Sequence, residues 1–399
     1  MDAAPPTMIG APGPFGSPVS LEIEGMQSII ETLEADGYEV YGPQVHNGVV
    51  SHEVIHSTDE LPLGWTDAQG GGSYRLKPRD DAARFGYAVG PQSWKELLHP
   101  SRTPVWTMTR TPTGELDVRM HEPTPTARAF LGVRPCELAA IAKQDRVLLE
   151  GPHPDPDYGA SRRDNFMVVV NCGTPADTCF CTSMGGGPSV ASGFDLSITE
   201  VVVDRTNVRY LVEIGSSRGA GLIERVPFDE ADDDLIERAR TVIDDATHRI
   251  TRRLDTADIK GLLYDNLESP RWDEIAERCL TCGNCTLACP TCFCTDLEDV
   301  TDLSGEISDR WRVWDSCFSL EYSHLGPGPH RSSGASRYRQ WMVHKLASWI
   351  DQFDESGCVG CGRCITWCPV GIDLTVEVDR FQKDSERELT QRHTDRRPT

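Results

Sequence analysis

The sequence predicts an α+β or α/β architecture: a mixed α/β domain over residues 18–258, then a mainly helical domain over 259–382. Three observations carry this. Short apolar strands alternate with periodic helical stretches through the first two thirds. Two copies of one cysteine pattern fall in the last third. The interval between those copies, from Pro290 to Gly357, is long enough to hold helices of its own. Residues 1–17, rich in Pro, Gly and Ala, read as a flexible lead, and the polar residues 383–399 as a disordered tail.

In order along the chain, Leu21, Met26, Ile29, Ile30 and Leu33 have helical spacing, stopped at Gly37. Tyr38 to Ile55 reads as short strands around the turn at Asn47-Gly48. The run Gly70-Gly71-Gly72 precedes a strand from Tyr74 to Leu76, and Trp94 to Leu98 reads as a short helix. Phe130 to Val133 is an apolar strand, after which Cys136 opens a helix with Leu138, Ile141, Ala142, Val147 and Leu148 on one face. Phe166 to Val170 reads as a buried strand ending at Asn171-Cys172. Val201 to Ile214 reads as two strands around Asp204 to Asn207, followed by a charged amphipathic helix from Asp229 to Ile250. Beyond a boundary near 256–261, helices are expected from Arg271 to Cys279 and from Ser336 to Phe353.

The cysteine pattern is Cys279-Leu-Thr-Cys282-Gly-Asn-Cys285-Thr-Leu-Ala-Cys289-Pro290, repeated as Cys358-Val-Gly-Cys361-Gly-Arg-Cys364-Ile-Thr-Trp-Cys368-Pro369. Both follow C-x2-C-x2-C-x3-C-P, the run of two-cluster bacterial ferredoxins. Three thiolates at steps of three wrap one corner of a cubane; the fourth cysteine serves the other cluster. The expected sets are therefore Cys279, Cys282, Cys285 and Cys368 for one [4Fe–4S] cluster, and Cys358, Cys361, Cys364 and Cys289 for the second. Zinc would ask for separated C-x2-C pairs closed tetrahedrally. Disulfides would ask for an oxidising compartment and for less crowded sulfurs. Asn284, Thr286 and Arg363 stand where side chains tune clusters, although solvated side chains are the commoner outcome for such residues.

Eight of the fifteen cysteines are used in this way. Cys136 and Cys172 each follow a predicted strand, so adjacent parallel strands would bring both to one sheet edge, with Cys179 and Cys181 in the next loop. These four are candidate ligands of a third [4Fe–4S] cluster, with zinc or buried thiols as the alternatives. Cys292, Cys294 and Cys317 are left over and read as packed thiols in preference to a further site. The pentapeptide Thr178-Cys-Phe-Cys-Thr182 recurs as Thr291-Cys-Phe-Cys-Thr295.

A formal net charge of −23 argues against nucleic acid and anionic membranes as partners. The first residues show neither a charged n-region nor an apolar h-region, and no apolar run reaches transmembrane length, so a cytoplasmic protein is expected. No G-x-G-x-x-G follows a strand, and no P-loop motif occurs. No histidine has metal-ligand spacing, and no catalytic residue is assigned. The pattern is that of a conduit for electrons whose ends are other proteins.

The chain resembles the beta subunit of cytosolic sulfhydrogenases, the NAD(P)-linked [NiFe] hydrogenases, and the related A subunit of anaerobic sulfite reductase. The resemblance is carried by Gly132 to Leu138, Asn171-Cys172 through Cys181, Arg278 to Cys285 with Pro290 to Cys294, Trp314 to Cys317, Arg337 to Trp341, and Cys358 to Pro369. The first two segments are also similar to the deazaflavin-reducing hydrogenase beta subunit, which strengthens the case for a third cluster. The resemblance implies an iron–sulfur subunit relaying electrons between a flavin and NAD(P)-binding subunit and the small and large subunits of a soluble [NiFe] hydrogenase. Flavin, NAD(P) and the nickel–iron centre would then sit on those partners of a hetero-oligomer. The alternatives are the corresponding subunit of anaerobic sulfite reductase and a zinc-binding structural scaffold.

Overall fold

A computed structural model of the chain describes residues 9–395. Sheets fill the N-terminal part and helices most of the C-terminal part. The chain starts with β1 (Val19–Leu21), α1 (Ile23–Ala35) and the hairpin β2 (Glu39–His46) and β3 (Val49–Val54), which closes at Asn47-Gly48. A second hairpin, β4 (Trp65–Gly70) with β5 (Ser73–Pro78), turns at the glycine run. Then come α2 (Lys95–Leu98), a third hairpin of β6 (Arg102–Arg110) and β7 (Leu116–Met120), β8 (Arg128–Val133) and α3 (Pro135–Leu148). After α4 (Pro156–Arg162) follow β9 (Phe166–Val170), β10 (Leu196–Val202), β11 (Val208–Ile214), α5 (Ser217–Ile223), β12 (Asp229–Glu230) and α6 (Asp233–Arg249).

Eight of these strands make one mixed sheet in the order β12-β1-β11-β10-β9-β8-β2-β3. Its centre is parallel: β8, β9 and β10 are neighbours, with Leu131 and Leu196 flanking Val168. Phe166 to Val170 is buried at every position because both faces are covered, which is why it reads as an unbroken apolar run. Phe166, Val168 and Val170 face Met26, Ile29, Ile30 and Leu33 of α1. Met167 and Val169 face Ile141 of α3 together with Trp94 and Tyr158.

The C-terminal part contains α7 (Ile259–Asp265), α8 (Arg271–Ala276), α9 (Asn284–Leu287), α10 (Gly334–Val343), α11 (Trp349–Phe353), α12 (Arg363–Thr366) and α13 (Leu374–Asp395). Trp272, Ile275, Trp341, Met342, Leu346, Val378 and Phe381 form its core. A π-helical turn, His344–Ser348, joins α10 to α11, so Ser336 to Phe353 is helical throughout. A hairpin interrupts the helices: β13 (Thr295–Thr301) and β14 (Ile307–Trp314) extend β6 and β7 into a four-stranded antiparallel sheet. Strands from both sides of the boundary expected near residue 258 therefore share one sheet.

Two segments expected to lack structure are built into the fold where described. Ile9 packs with Val201, Leu211 and Leu235, and Gly10 N donates to Glu213 Oε1 at 3.0 Å. Residues 1–8 lie outside the described residues. Residues 383–395, expected as the start of a disordered tail, continue α13; Asn266 Nδ2 donates to Ser385 Oγ at 3.2 Å and Arg271 pairs with Asp384. Residues 396–399 lie outside the described residues.

Candidate metal centre

The two cysteine runs fold alike. Gly283 and Gly362, each next to the second cysteine of its run, take the left-handed conformation at φ +76° and start the short helices α9 and α12. Those helices hold Cys285 and Cys364 in their first turn and pack on each other. Backbone N–H groups point at sulfur: Thr281 N lies 3.4 Å from Cys279 Sγ, Gly360 N 3.4 Å from Cys358 Sγ and Ile372 N 3.3 Å from Cys368 Sγ. Such bonds favour the thiolate. Gly362 also meets the N-terminal part so closely that a Cβ would lie 2.4 Å from Thr178 O.

The cysteines gather in three groups. Cys279, Cys282, Cys285 and Cys368 line one cavity, walled by Phe318, Tyr338, Trp341 and Ile372; Cys364 also reaches it. Cys289 lies instead among Cys358, Cys361 and Cys364. The fourth cysteine of each run is thus placed with the first three of the other. Cys136, Cys172, Cys179 and Cys181, the third group, line another cavity, whose wall includes Cys361 and Arg134. Cys136 is in the first turn of α3 after β8, and Cys172 follows β9; β8 and β9 are parallel neighbours, which sets both at one edge.

Loops of the two parts interlock there. Phe180 N donates to Gly360 O at 2.8 Å, and Thr178 Oγ1 and Thr366 Oγ1 are 2.8 Å apart. Among the described residues, no three His, Cys, Asp or Glu side chains converge on a point that would hold one metal ion. Sulfurs around a tetrahedral zinc would stand roughly 3.8 Å apart, from a Zn–S bond of about 2.3 Å. The thiols of the first and third groups surround cavities instead.

Electrostatics set these groups apart from ordinary thiols. Burial pushes Cys358 to about 11 and Cys181 to about 12, and holds Cys136, Cys179, Cys285 and Cys364 well above the usual range. Without a metal such thiols keep their protons; binding irons would displace them. Cys289 goes the other way, because Cys292 donates to it and the Lys345 ammonium lies beside it. Lys345 Nζ is 3.2 Å from Cys289 Sγ and 3.7 Å from Cys292 Sγ, and the side chain is buried. Arg134, buried in the wall of the third cavity, donates to the carbonyls of Phe85, Tyr87 and Asn171 and leaves Nε without a partner. Buried cations held by neutral acceptors fit an anionic cluster. The donor set, the N–H groups aimed at sulfur and these cations all suit [4Fe–4S] clusters.

The candidate tuning residues differ. Asn284 is exposed, its Nδ2 3.4 Å from Trp367 O. Thr286 is buried, donating to Gly283 O at 2.7 Å, and Arg363 is 1 % exposed, so neither is a solvated side chain. Lys345, Lys95 and Arg134 were not singled out in the sequence. Arg134, two residues before Cys136 in Arg134-Pro-Cys, was the one with a local signal; the lysines act only through tertiary contacts.

Residues 278–372 match the family of 4Fe–4S dicluster domains. The chain is 27% identical over 368 residues to sulfhydrogenase 2 subunit beta of Pyrococcus furiosus, covering 92% of this chain and 98% of that protein. No solved structure matches. With its paired cysteine runs, the chain thus carries a 4Fe–4S dicluster domain and is similar over nearly its whole length to a sulfhydrogenase beta subunit.

Proposed function

We propose that the chain is the electron relay of a cytoplasmic, multi-subunit, NAD(P)-linked [NiFe] hydrogenase of the sulfhydrogenase type. Cys279, Cys282, Cys285 and Cys368 hold the first [4Fe–4S] cluster, Cys358, Cys361, Cys364 and Cys289 the second, and Cys136, Cys172, Cys179 and Cys181 the third. One observation carries this reading. Cys364, from the second set, reaches into the first cavity, and Cys361, from the same set, lines the third. The second set therefore adjoins both others. When bound, the clusters supply one-electron transfer; the protein's residues keep them adjacent, dry and charge-compensated.

The partners in this reading are a flavin and NAD(P)-binding subunit and the hydrogenase small and large subunits. The name of the Pyrococcus protein, a subunit beta, supports a multi-subunit assembly. The test is anaerobic purification of the native complex, with subunit identification and counts of iron, nickel and acid-labile sulfide. Co-purification with a nickel-bearing subunit, and loss of about four irons in Cys136→Ala or Cys179→Ala, is the expected result. Zinc without sulfide, or a sirohaem protein in place of the nickel subunit, would overturn it.

A further inference from the structure

The leftover trio Cys292, Cys294 and Cys317 does not scatter into the core. Cys294 directly precedes Thr295, the first residue of β13, which pairs with Trp314, the last of β14. Asp315 N donates to Cys294 O at 2.9 Å, so the segment leading to Cys317 runs beside Cys294. Cys294 has Cys317 and Cys292 as electrostatic neighbours, and the Tyr322 hydroxyl is hydrogen bonded to its sulfur. Hairpin closure, not chain proximity alone, assembles these three thiols.

The repeated pentapeptide gives them a counterpart. In its first copy, Thr178-Cys-Phe-Cys-Thr182, both cysteines line the third cavity. The threonine leading that copy is buried and bonded to Thr366. In the second copy, Thr291 is likewise buried, and its hydroxyl donates to Gly357 O at 2.7 Å. Both copies are thus tied through their leading threonine to the segment that carries the second cysteine run.

Charge supplies a third, independent observation. Two lysines are buried here, Lys345 at 6 % and Lys95 at 4 % exposure. Lys95 Nζ reaches the carbonyls of Leu287 and Cys289 at 3.3 and 3.2 Å and stacks 3.8 Å over the Trp314 ring. Lys345 Nζ reaches Cys289, Cys292, Thr291 Oγ1 at 3.0 Å and Gly357 O at 3.3 Å. Neither appears in an ion pair with a carboxylate among the described residues. Burying an ammonium without an anion is expensive, so both lysines ask for negative charge on the side of Cys289 and Cys292.

We infer that Cys292, Cys294 and Cys317 hold a fourth iron–sulfur cluster, beside the one that takes Cys289. Three thiolates supply its protein sulfur ligands, with Tyr322 standing by as an oxygen donor. Cys292 contacts Cys289 directly, and Lys345, within 3.2 Å of Cys289 Sγ and 3.7 Å of Cys292 Sγ, offsets the negative charge of both groups. The inference rests on the iron–sulfur reading of the other twelve cysteines. The fourth cluster would sit against two of the other sets, since Cys317 neighbours Cys285 and Cys292 touches Cys289.

The test compares the anaerobically purified complex with its Cys292→Ala/Cys294→Ala/Cys317→Ala variant, by iron and acid-labile sulfide per chain and by low-temperature EPR of the reduced protein. The wild type is expected to hold about four clusters in this chain, and the variant to lose about one cluster's iron and sulfide while the signals of the other clusters persist. Should the triple variant not assemble, Cys294→Ser alone is expected to lose the same one signal. Equal iron in both proteins, or zinc at this set, overturns the inference and leaves the relay intact. Absence of iron from the wild type would instead sink the relay itself.

Discussion

Arg363 and Glu137 form an ion pair at 2.6 Å with both side chains almost wholly buried, 1 % and 2 % exposed. Arg363 follows Gly362 in the second cysteine run; Glu137 follows Cys136 in α3, 226 positions away. The guanidinium also donates to Gly90 O and Gln92 O at 2.8 and 2.9 Å. Glu137 Oε2 accepts from Trp94 Nε1 at 3.1 Å and Arg134 N at 3.2 Å. One pair thereby fixes the second thiol set against the third. Removing one partner leaves the other charge buried, so Arg363→Met should cost about 3–5 kcal/mol. Arg363→Met/Glu137→Leu should cost clearly less than that single change. Anaerobic denaturant unfolding of the wild type and these two variants measures the difference, and a double variant as unstable as the single would contradict it.

Close approach at Gly362 gives a sharper contrast. Its left-handed φ would cost any other residue about 1 kcal/mol, and the Cβ would strike the Thr178 carbonyl. Gly185 has a similar φ of +74° but open space around it. Gly185→Ala should therefore cost about 1 kcal/mol and Gly362→Ala several times as much. Gly362→Ala should also lower the iron content, read on the purified protein.

Lys345 should set a potential. A fixed ammonium 3.2 Å from Cys289 Sγ favours the more negative, reduced state of the cluster bound there. A hydrogen bond involving a charged group contributes about 1.5–3 kcal/mol, so Lys345→Met should lower that cluster's potential by roughly 60–130 mV. Lys345→Arg should restore part of the shift. An EPR-monitored redox titration follows one signal; no movement in Lys345→Met would contradict the assignment.

His99 makes stability depend on pH. It is 2 % exposed, both ring nitrogens lack partners, and burial lowers it to about 4 from 6.5. As pH falls below about 6.5 the unfolded chain takes up a proton that the folded one refuses. Stability is lost between about pH 6.5 and 4, reaching about 3 kcal/mol. Between pH 7.5 and 5.5 its share of the loss should be about 1 kcal/mol, and His99→Leu should remove that share while His52 and His344, also lowered to about 4 by burial, keep theirs. Thermal unfolding at both pH values checks this.

Much of this architecture was readable from short-range pattern. The period of α1, the unbroken apolar run of β9 and the Asn47-Gly48 hairpin are local signals, and each element stands where the pattern put it. The cysteine runs are local too, since three thiols on one loop need no distant partner to be recognised. What escaped depends on contacts far apart in sequence. The residues of β13 are mostly exposed, with three acidic side chains and no apolar alternation to mark a strand; pairing with β14 and the turn at Asp302, which accepts from Glu306 N and Ile307 N, fix it. Arg363 looked like a solvated loop arginine because Glu137 lies 226 residues upstream. The start of the polar tail looked disordered because its anchors, Asn266 and Arg271, belong to another helical segment.

The four-stranded sheet has a consequence for how the chain can be divided. β14 hydrogen bonds to β6 along seven residue pairs from Ile307↔Thr109 to Val313↔Arg102. Cutting the polypeptide near residue 258 would strip β14 of that neighbour and bare a ladder of unpaired amides and carbonyls. A C-terminal fragment would carry both cysteine runs and still present a sticky margin, inviting self-association in place of the lost strand.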